Sequence, residues 1–430
     1  MAHGVATTGR SAGPAARVGG PEGVVGRDVV ASFVGEQLAA APLDGRSLCV
    51  LVPDGTRSCP LPLLLQAVHA AVHRRVSRLT VLVALGTHAP MGETARAAHL
   101  GHPPGGLAAR YPGMLVLEHA WWDPATFARL GVIGPERVAA LSGGLLTEGV
   151  EVRVNRAVVD HDVVLVVGPV LPHEVVGFSG GNKYLFPGVG GPELIDLSHW
   201  LGALITSSAI IGTLGVTPVR ALIDEAAAMV PSERLALCVV PVPGGDGLHA
   251  LTFGEPEAAW RAAAEVSART HVRYLDAPVR RVLSMVPERY DDLWTGAKGF
   301  YKVEPVVGDG GQVVLYAPHI TRISATHPGI RDIGYHCRDY FVGQWERFRD
   351  HPWGELAHST HLRGAGTWDA VHGERPRVTV TLATGIPADE VAAVGLDHLD
   401  PGSVDPVRWA AEAGTLVVAD AGEELYRLAP

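Results

Sequence analysis

Cysteine is scarce. Four residues, Cys49, Cys59, Cys238 and Cys337, are spread over 430 positions, and no two stand in a CxxC pair. That argues against a disulfide framework and a cysteine zinc module, and a reducing cytoplasm is the expected setting. Long apolar runs are missing too, since no stretch reaches the roughly 20 residues a membrane-spanning helix needs. There is no basic run and the formal net charge is -10, which argues against nucleic acid as a partner. A small anionic partner stays open, because local charge decides its binding. No G-x-x-x-x-G-K-[ST] segment occurs and no G-x-G-x-x-G follows the first strand-like run, so neither a P-loop nor a dinucleotide fingerprint is present. Residues 1–25 are rich in Gly and Ala and lack the apolar core of a signal peptide. They are expected to form a disordered leader.

What is present is a globular composition, 47% hydrophobic and 19% charged, on a chain too long for one ordinary core. Residues 47–53, 79–85, 115–118, 163–170 and 235–241 read as short buried strands. Helical patterns lie at 60–73, 124–131, 192–206 and 218–230. That alternation predicts an α/β fold with a parallel, Rossmann-like sheet. A second strand pattern begins near Ala277, with runs at 279–286, 312–316, 377–383 and 415–419. Two domains are expected: a larger N-terminal α/β domain over 26–276 that binds the ligand, and a smaller C-terminal α/β domain over 277–430.

The polar residues that follow strands carry the chemistry. Asp54-Gly55-Thr56-Arg57 follows the first strand, and the Arg57 fork matches a carboxylate or phosphate. Alone, it reads rather as a tight turn with a surface arginine. His88 ends the second strand, and His173 follows the fourth. Each suits general acid–base work near neutral pH, and each alone could be a loop-capping histidine. As a pair at neighbouring strand ends, they could serve opposite faces of one carbon, as a racemase requires. The block 172–191 continues with Ser179-Gly180-Gly181-Asn182-Lys183. A glycine turn between strand and helix presents backbone N–H groups to an anion, and Lys183 there could pair with phosphate or bond a cofactor. His199 lies off the apolar stripe of the helix 192–206 and shares a face with Ile195 and Gly202. It is either a metal ligand or an exposed helix histidine. Further on, Trp294, Thr295 and Lys298 share one short segment, followed by His319, His327, His336, His351, His358 and His361. His358 and His361 have a metal-like spacing, but so do many chance pairs, and these histidines are expected to line a polar cleft or sit in plain loops.

In their order along the chain, Asp54–Arg57, Gly86-Thr87-His88-Ala89-Pro90, the block 172–191, His199 and Lys298 resemble the nickel-pincer lactate racemase family of 2-hydroxyacid racemases and epimerases. The resemblance spans most of the chain, and the central block is its most specific part. It implies a two-domain α/β enzyme, an isomerase, with the active site in the cleft. It implies a nickel-pincer nucleotide, Ni(II) pyridinium-3,5-bisthiocarboxylic acid mononucleotide, made by separate biosynthetic enzymes and attached to Lys183. His199 would complete the nickel coordination, and Asp54, Thr56, Ser179, Gly180, Gly181 and Asn182 would lie about the cofactor. His88 and His173 would be the alternate acid and base, with Arg57 and Lys298 on the substrate carboxylate. The implied reaction inverts C2 of a 2-hydroxy acid by proton-coupled hydride transfer. Trp294, with Thr295 where lactate-specific members commonly carry a longer amide, favours a substrate larger and more hydroxylated than lactate, such as a sugar acid. Two other functions remain in view: a metal-dependent oxidoreductase or lyase without the pincer, and a non-catalytic nucleotide-binding protein.

Overall fold

The computed structural model describes residues 13–430. Two sheets organise it. The first has strands β1 (Ala16–Gly19), β2 (Ser47–Pro53), β3 (Arg78–Ala84), β4 (Met114–Glu118), β5 (Val163–Pro169), β6 (Glu233–Pro241) and β7 (Leu248–Gly254), in the order β1-β7-β6-β5-β2-β3-β4. From β6 across to β4 every pairing is parallel. At the other edge β7 runs antiparallel to β6, and β1 antiparallel to β7. The second sheet holds β8 (Val279–Met285), β9 (Val307–Ala317), β10 (Thr379–Thr384), β11 (Asp397–His398) and β12 (Thr415–Val418), ordered β11-β10-β9-β8-β12 and parallel throughout.

The strands of the first sheet read as unbroken apolar runs because both of their faces are covered. Leu48, Val50 and Val52 of β2 pack into one cluster with buried residues of helices α1 (Arg27–Ala40) and α2 (Leu61–Val72). Cys49 and Leu51, on the opposite face, join a cluster with α3 (Pro192–Ile205), α4 (Pro218–Ala227) and α5 (Pro256–Thr270). That second cluster continues into Val282, Val313, Leu315 and Val380 of the second sheet. The two sheets therefore share a continuous apolar core. The strand Leu425–Leu428 near the C-terminus also pairs with Val272–Leu275, tying the last residues to the end of the first half.

Two expectations are corrected. The segment 124–131 is not helical: after a short turn over Pro124–Thr126, Phe127–Ile133 is a strand paired with Val150–Asn155. Phe127 and Ile133 are buried in that pairing, and tertiary packing outweighs a weak local helical pattern. The expected leader over 1–25 is partly structured, because Ala16–Gly19 supplies the edge strand on β7. Its first 12 residues lie outside the described residues. Among the described residues no helix is long and apolar enough to cross a membrane.

Candidate active site

The strand order of the first sheet reverses between β2 and β5. Such a switch point opens a crevice at the carboxyl ends of the strands, where ligands bind in open α/β sheets. Asp54 follows β2, His88 follows β3, and His173 follows β5 in the chain. All three line one cavity of about 190 Å³, which Trp294, Lys298, Tyr301, His327, His358 and His361 close from the second half.

His88 is the best-defined group. Its Nδ1 lies 2.5 Å from Oδ2 of Asp54. Oδ1 of Asp54 accepts from the Thr56 backbone N–H at 3.1 Å and from its hydroxyl at 2.6 Å. Burial alone would raise the Asp54 pKa, but His88, Thr56 and Arg57 together hold it well below the usual carboxylate range. An ionised carboxylate only accepts, so Nδ1 of His88 carries the proton and Nε2 offers its lone pair. The Trp121 indole N–H donates to the His88 carbonyl at 2.9 Å and fixes the loop.

The loop after β5 is stapled from several sides. The Ser179 hydroxyl donates to the Pro169 carbonyl at 3.2 Å and accepts from the Leu171 N–H at 2.9 Å. Buried Arg220 of α4 donates to the carbonyls of Phe178 and Gly180, and Trp260 of α5 donates to that of Ser179. Gly180 has φ +86°, and an added Cβ would sit 2.5 Å from Val170. Only glycine takes that conformation without strain. Lys302 Nζ donates to the carbonyls of Pro172 and Glu423, binding the loop to the C-terminal segment.

This frame holds half-buried Lys183 and buried His173 in a cationic neighbourhood. Burial, then Arg57, Arg220 and Lys298, pull the Lys183 pKa down to about 7, against the Glu174 carboxylate. A large share of its amine is therefore neutral, and nucleophilic, near pH 7. His173 is buried, and that burial together with Lys183, Arg57, Lys302 and His199 drives its pKa well below the ordinary value. In α3, His199 Nδ1 faces the Ile195 carbonyl at 2.7 Å, which makes it the N–H. Its Nε2 is left bare, and burial pulls the ring's pKa down to about 4. A neutral imidazole with its far nitrogen anchored is prepared as a metal ligand. Gly202, one turn on, admits Val175: an added Cβ would meet that residue at 2.9 Å.

Of the sequence-predicted site residues, Asp54, Thr56, Arg57, His88, His173, Ser179, Gly180, Lys183, His199, Trp294 and Lys298 line the cavity. Three point elsewhere. Asn182 is buried with its amide on Asp224 and Glu257 and its carbonyl on Arg234, so it braces the loop against α4 and α5. Gly181 packs against Trp260. Thr295 bonds Asp292 and lines a neighbouring recess shared with Trp294, His88 and Asp54. Asp54 and Thr56, expected at a cofactor, spend their polar atoms on His88 and on each other. Lys298 has its pKa lowered to about 8 by burial and Arg57, and lies over the Tyr290 ring.

Several site residues escaped the sequence reading. Glu174 and Tyr301 line the cavity; Glu174 stands beside His173, and that adjacency was the available signal. His327, His358 and His361, which the sequence pattern leaves undecided, also line it. Trp294 is stacked between His327, at 3.7 Å and 3°, and His358, at 3.9 Å and 27°. Arg220 and Trp260 gave no signal, since their role is to hold carbonyls of a distant loop. Among the described residues no three His, Cys, Asp or Glu side chains are grouped to hold a metal unaided.

Fold and site define a two-sheet α/β protein with paired histidines, lysines and an arginine around a buried cavity. Residues 27–212 match the family model of the lactate racemase N-terminal domain. A Thermotoga maritima protein, solved as a structural-genomics target, superposes with a TM-score of 0.87 at 29% identity, over 96% of this chain and 100% of that one. The lactate racemase apoprotein of Thermoanaerobacterium thermosaccharolyticum shares the fold, with a TM-score of 0.68 at 17% identity over 93% of each chain. No curated protein matches. The N-terminal part of the chain, over residues 27–212, is thus similar to the N-terminal domain of the lactate racemases.

Proposed function

We propose that the protein is a 2-hydroxyacid racemase or epimerase that works with a lysine-tethered nickel-pincer nucleotide. The observation that carries this is the convergence of His88 and His173 on one cavity with Arg57, Lys298 and Lys183. The residues fit the cofactor. Lys183 offers a half-buried amine with a pKa lowered to about 7, suited to condense with a thiocarboxylate to a thioamide with loss of water. His199 offers one anchored ligand nitrogen. A single protein ligand calls for a cofactor that brings the remaining donors, which favours the pincer over a metal held by the protein alone.

When bound, the cofactor would accept and return the hydride at C2. The protein's part is positional and acid–base. Arg57 and Lys298 would hold the substrate carboxylate, Arg57 by a planar fork. His88, its Nδ1–H fixed on Asp54, would take the hydroxyl proton on Nε2 from one side, and His173 would serve the other. The stack of His327, Trp294 and His358 supplies a flat wall with ring nitrogens. That supports a substrate with more hydroxyl groups than lactate, such as a sugar acid.

Intact-protein mass spectrometry after co-production with the cofactor-synthesis enzymes tests the reading. An adduct is expected on the wild type and absent from Lys183→Ala. His88→Ala and His173→Ala should keep the adduct and lose inversion of C2. A wild type that gains no adduct, beside a family member loaded in the same cells, would overturn it. Faster turnover of lactate than of any aldonic acid would overturn the substrate assignment alone.

A further inference from the structure

The two histidines are held by different means. His88 Nδ1 has one neighbour, the Asp54 carboxylate. His173 Nδ1 has two of opposite character. The backbone N–H of Val175 donates to it at 3.1 Å, and Oε2 of Glu174 lies 3.3 Å away. One ring nitrogen cannot satisfy both at once. Bonded to Val175, Nδ1 is bare and the proton sits on Nε2, which is the donor form. Bonded to Glu174, Nδ1 is protonated and Nε2 is bare, which is the base form.

We infer that Glu174 is a positioning residue that makes His173 a base, so that the site contains two carboxylate–histidine dyads, Asp54–His88 and Glu174–His173. The inference rests on the racemase reading. A reaction that inverts one carbon in both directions must take the hydroxyl proton on either side. Each histidine then needs a bare Nε2 in one direction and an Nε2–H in the other. His88 gains the first from Asp54. His173 has it only when Glu174, rather than Val175, holds Nδ1. In that arrangement the hydroxyl proton moves to Nε2 while Nδ1–H stays on Glu174, and the proton on Nε2 is the one returned to oxygen.

The surroundings agree. Burial works against a charged Glu174, but Lys298, Arg57, His361 and Lys302 keep it ionised. Lys183, Arg57, Lys302 and His199 face His173. The pair is thus a neutral imidazole beside a carboxylate; the structure shows Nδ1 accepting from Val175, with the Glu174 carboxylate 3.3 Å away as the competing partner. The backbone on either side of His173 and Glu174 is anchored. Lys302 anchors the Pro172 carbonyl just before His173, and Val175 packs on the bare face of Gly202.

The test uses two readouts. In apoprotein labelled with ¹⁵N-histidine, the His173 signals are identified by their loss in His173→Gln. Glu174→Gln should move the His173 Nδ1 signal toward the unprotonated range and leave His88 unchanged. In holoenzyme, the same substitution should lower kcat at least about tenfold, with KM changed less than about twofold and the adduct mass retained. Glu174→Asp should recover part of the loss, and it replaces the Gln variant in both readouts if that protein does not fold. An unaltered His173 spectrum would overturn the dyad. So would full kcat with a raised KM, which would make Glu174 a substrate-binding group. If wild-type holoprotein inverts no 2-hydroxy acid, the racemase reading fails by itself, and the apoprotein spectrum alone decides the dyad.

Discussion

Asp54 illustrates how little of a site residue's role lies in its identity. The turn it occupies was plain in the sequence, and so was the charge. Its partner was not, because His88 lies 34 positions away; only the parallel pairing of β2 with β3 brings the two turns together. The consequence is testable. Asp54→Asn keeps the shape but lets the amide donate to Nδ1, stabilising the wrong tautomer of His88. A loss in kcat of about 10²-fold or more is expected, with the cofactor adduct intact by mass; unchanged kcat would count against the dyad. Lys183 makes a second residue-scale case. Its pKa is lowered from 10.5 to about 7, so its neutral fraction rises as pH passes 7 rather than 10. Competitive amine labelling of apoprotein should reach half its limit on Lys183 near pH 7, while exposed lysines lag by about three pH units. Labelling of Lys183 that follows the exposed lysines would contradict its burial among cations.

At the scale of elements, sequence and structure agree where an apolar run had turn signals on both sides. Ser47–Pro53 is a strand as expected, and Pro192–Ile205 matches the predicted helix to one residue. The strand Phe127–Ile133 was misread because its partner, Val150–Asn155, lies across a helix; no local pattern specifies that pairing. Glycines gave a mixed signal. Gly202 shares a face of the helix with His199, but Val175 fills the space beside it. Gly202→Ala therefore sets two effects against each other. Alanine favours the helix by about 1 kcal/mol, while its Cβ would press on Val175 at 2.9 Å. Because Val175 adjoins the His173 loop, activity should fall even where melting temperature changes little. Full activity in Gly202→Ala would show that the loop tolerates the displacement.

For the whole molecule, the cavity exists because one apolar core joins the two sheets, with polar groups gathered at the carboxyl edge of the first. The composition pointed to two halves and the motifs to the first half's contribution. The second half was harder to read, because six candidate histidines there look alike in sequence and only burial sorts them. That burial has a cost in acid. His119, His173, His199, His271, His327, His358 and His361 all have pKa values lowered by burial. For a base depressed in the folded state, the unfolded chain takes up the proton first. Stability is thus full above about pH 6.5 and is lost as pH falls toward the folded values, by up to about 1.4 kcal/mol per pH unit for each ring. Asp196, raised to about 6 by burial, and Asp224, Glu304 and Glu355, also raised by burial, act in the opposite sense but are four groups against seven rings. Melting temperature should drop steeply from pH 6.5 to 5, and a flat profile would contradict neutral buried rings.

The most direct measurement follows the hydrogen on C2. Loaded enzyme is incubated in D₂O with one enantiomer of a 2-hydroxy acid that it turns over, and the product is read by mass spectrometry and NMR. If the histidines move only the hydroxyl proton and the C2 hydrogen travels as hydride, C2 inverts while keeping its own hydrogen. If a histidine instead takes the C2 proton, deuterium from solvent appears at C2 in step with inversion, and the assignment of His88 and His173 to the oxygen is contradicted.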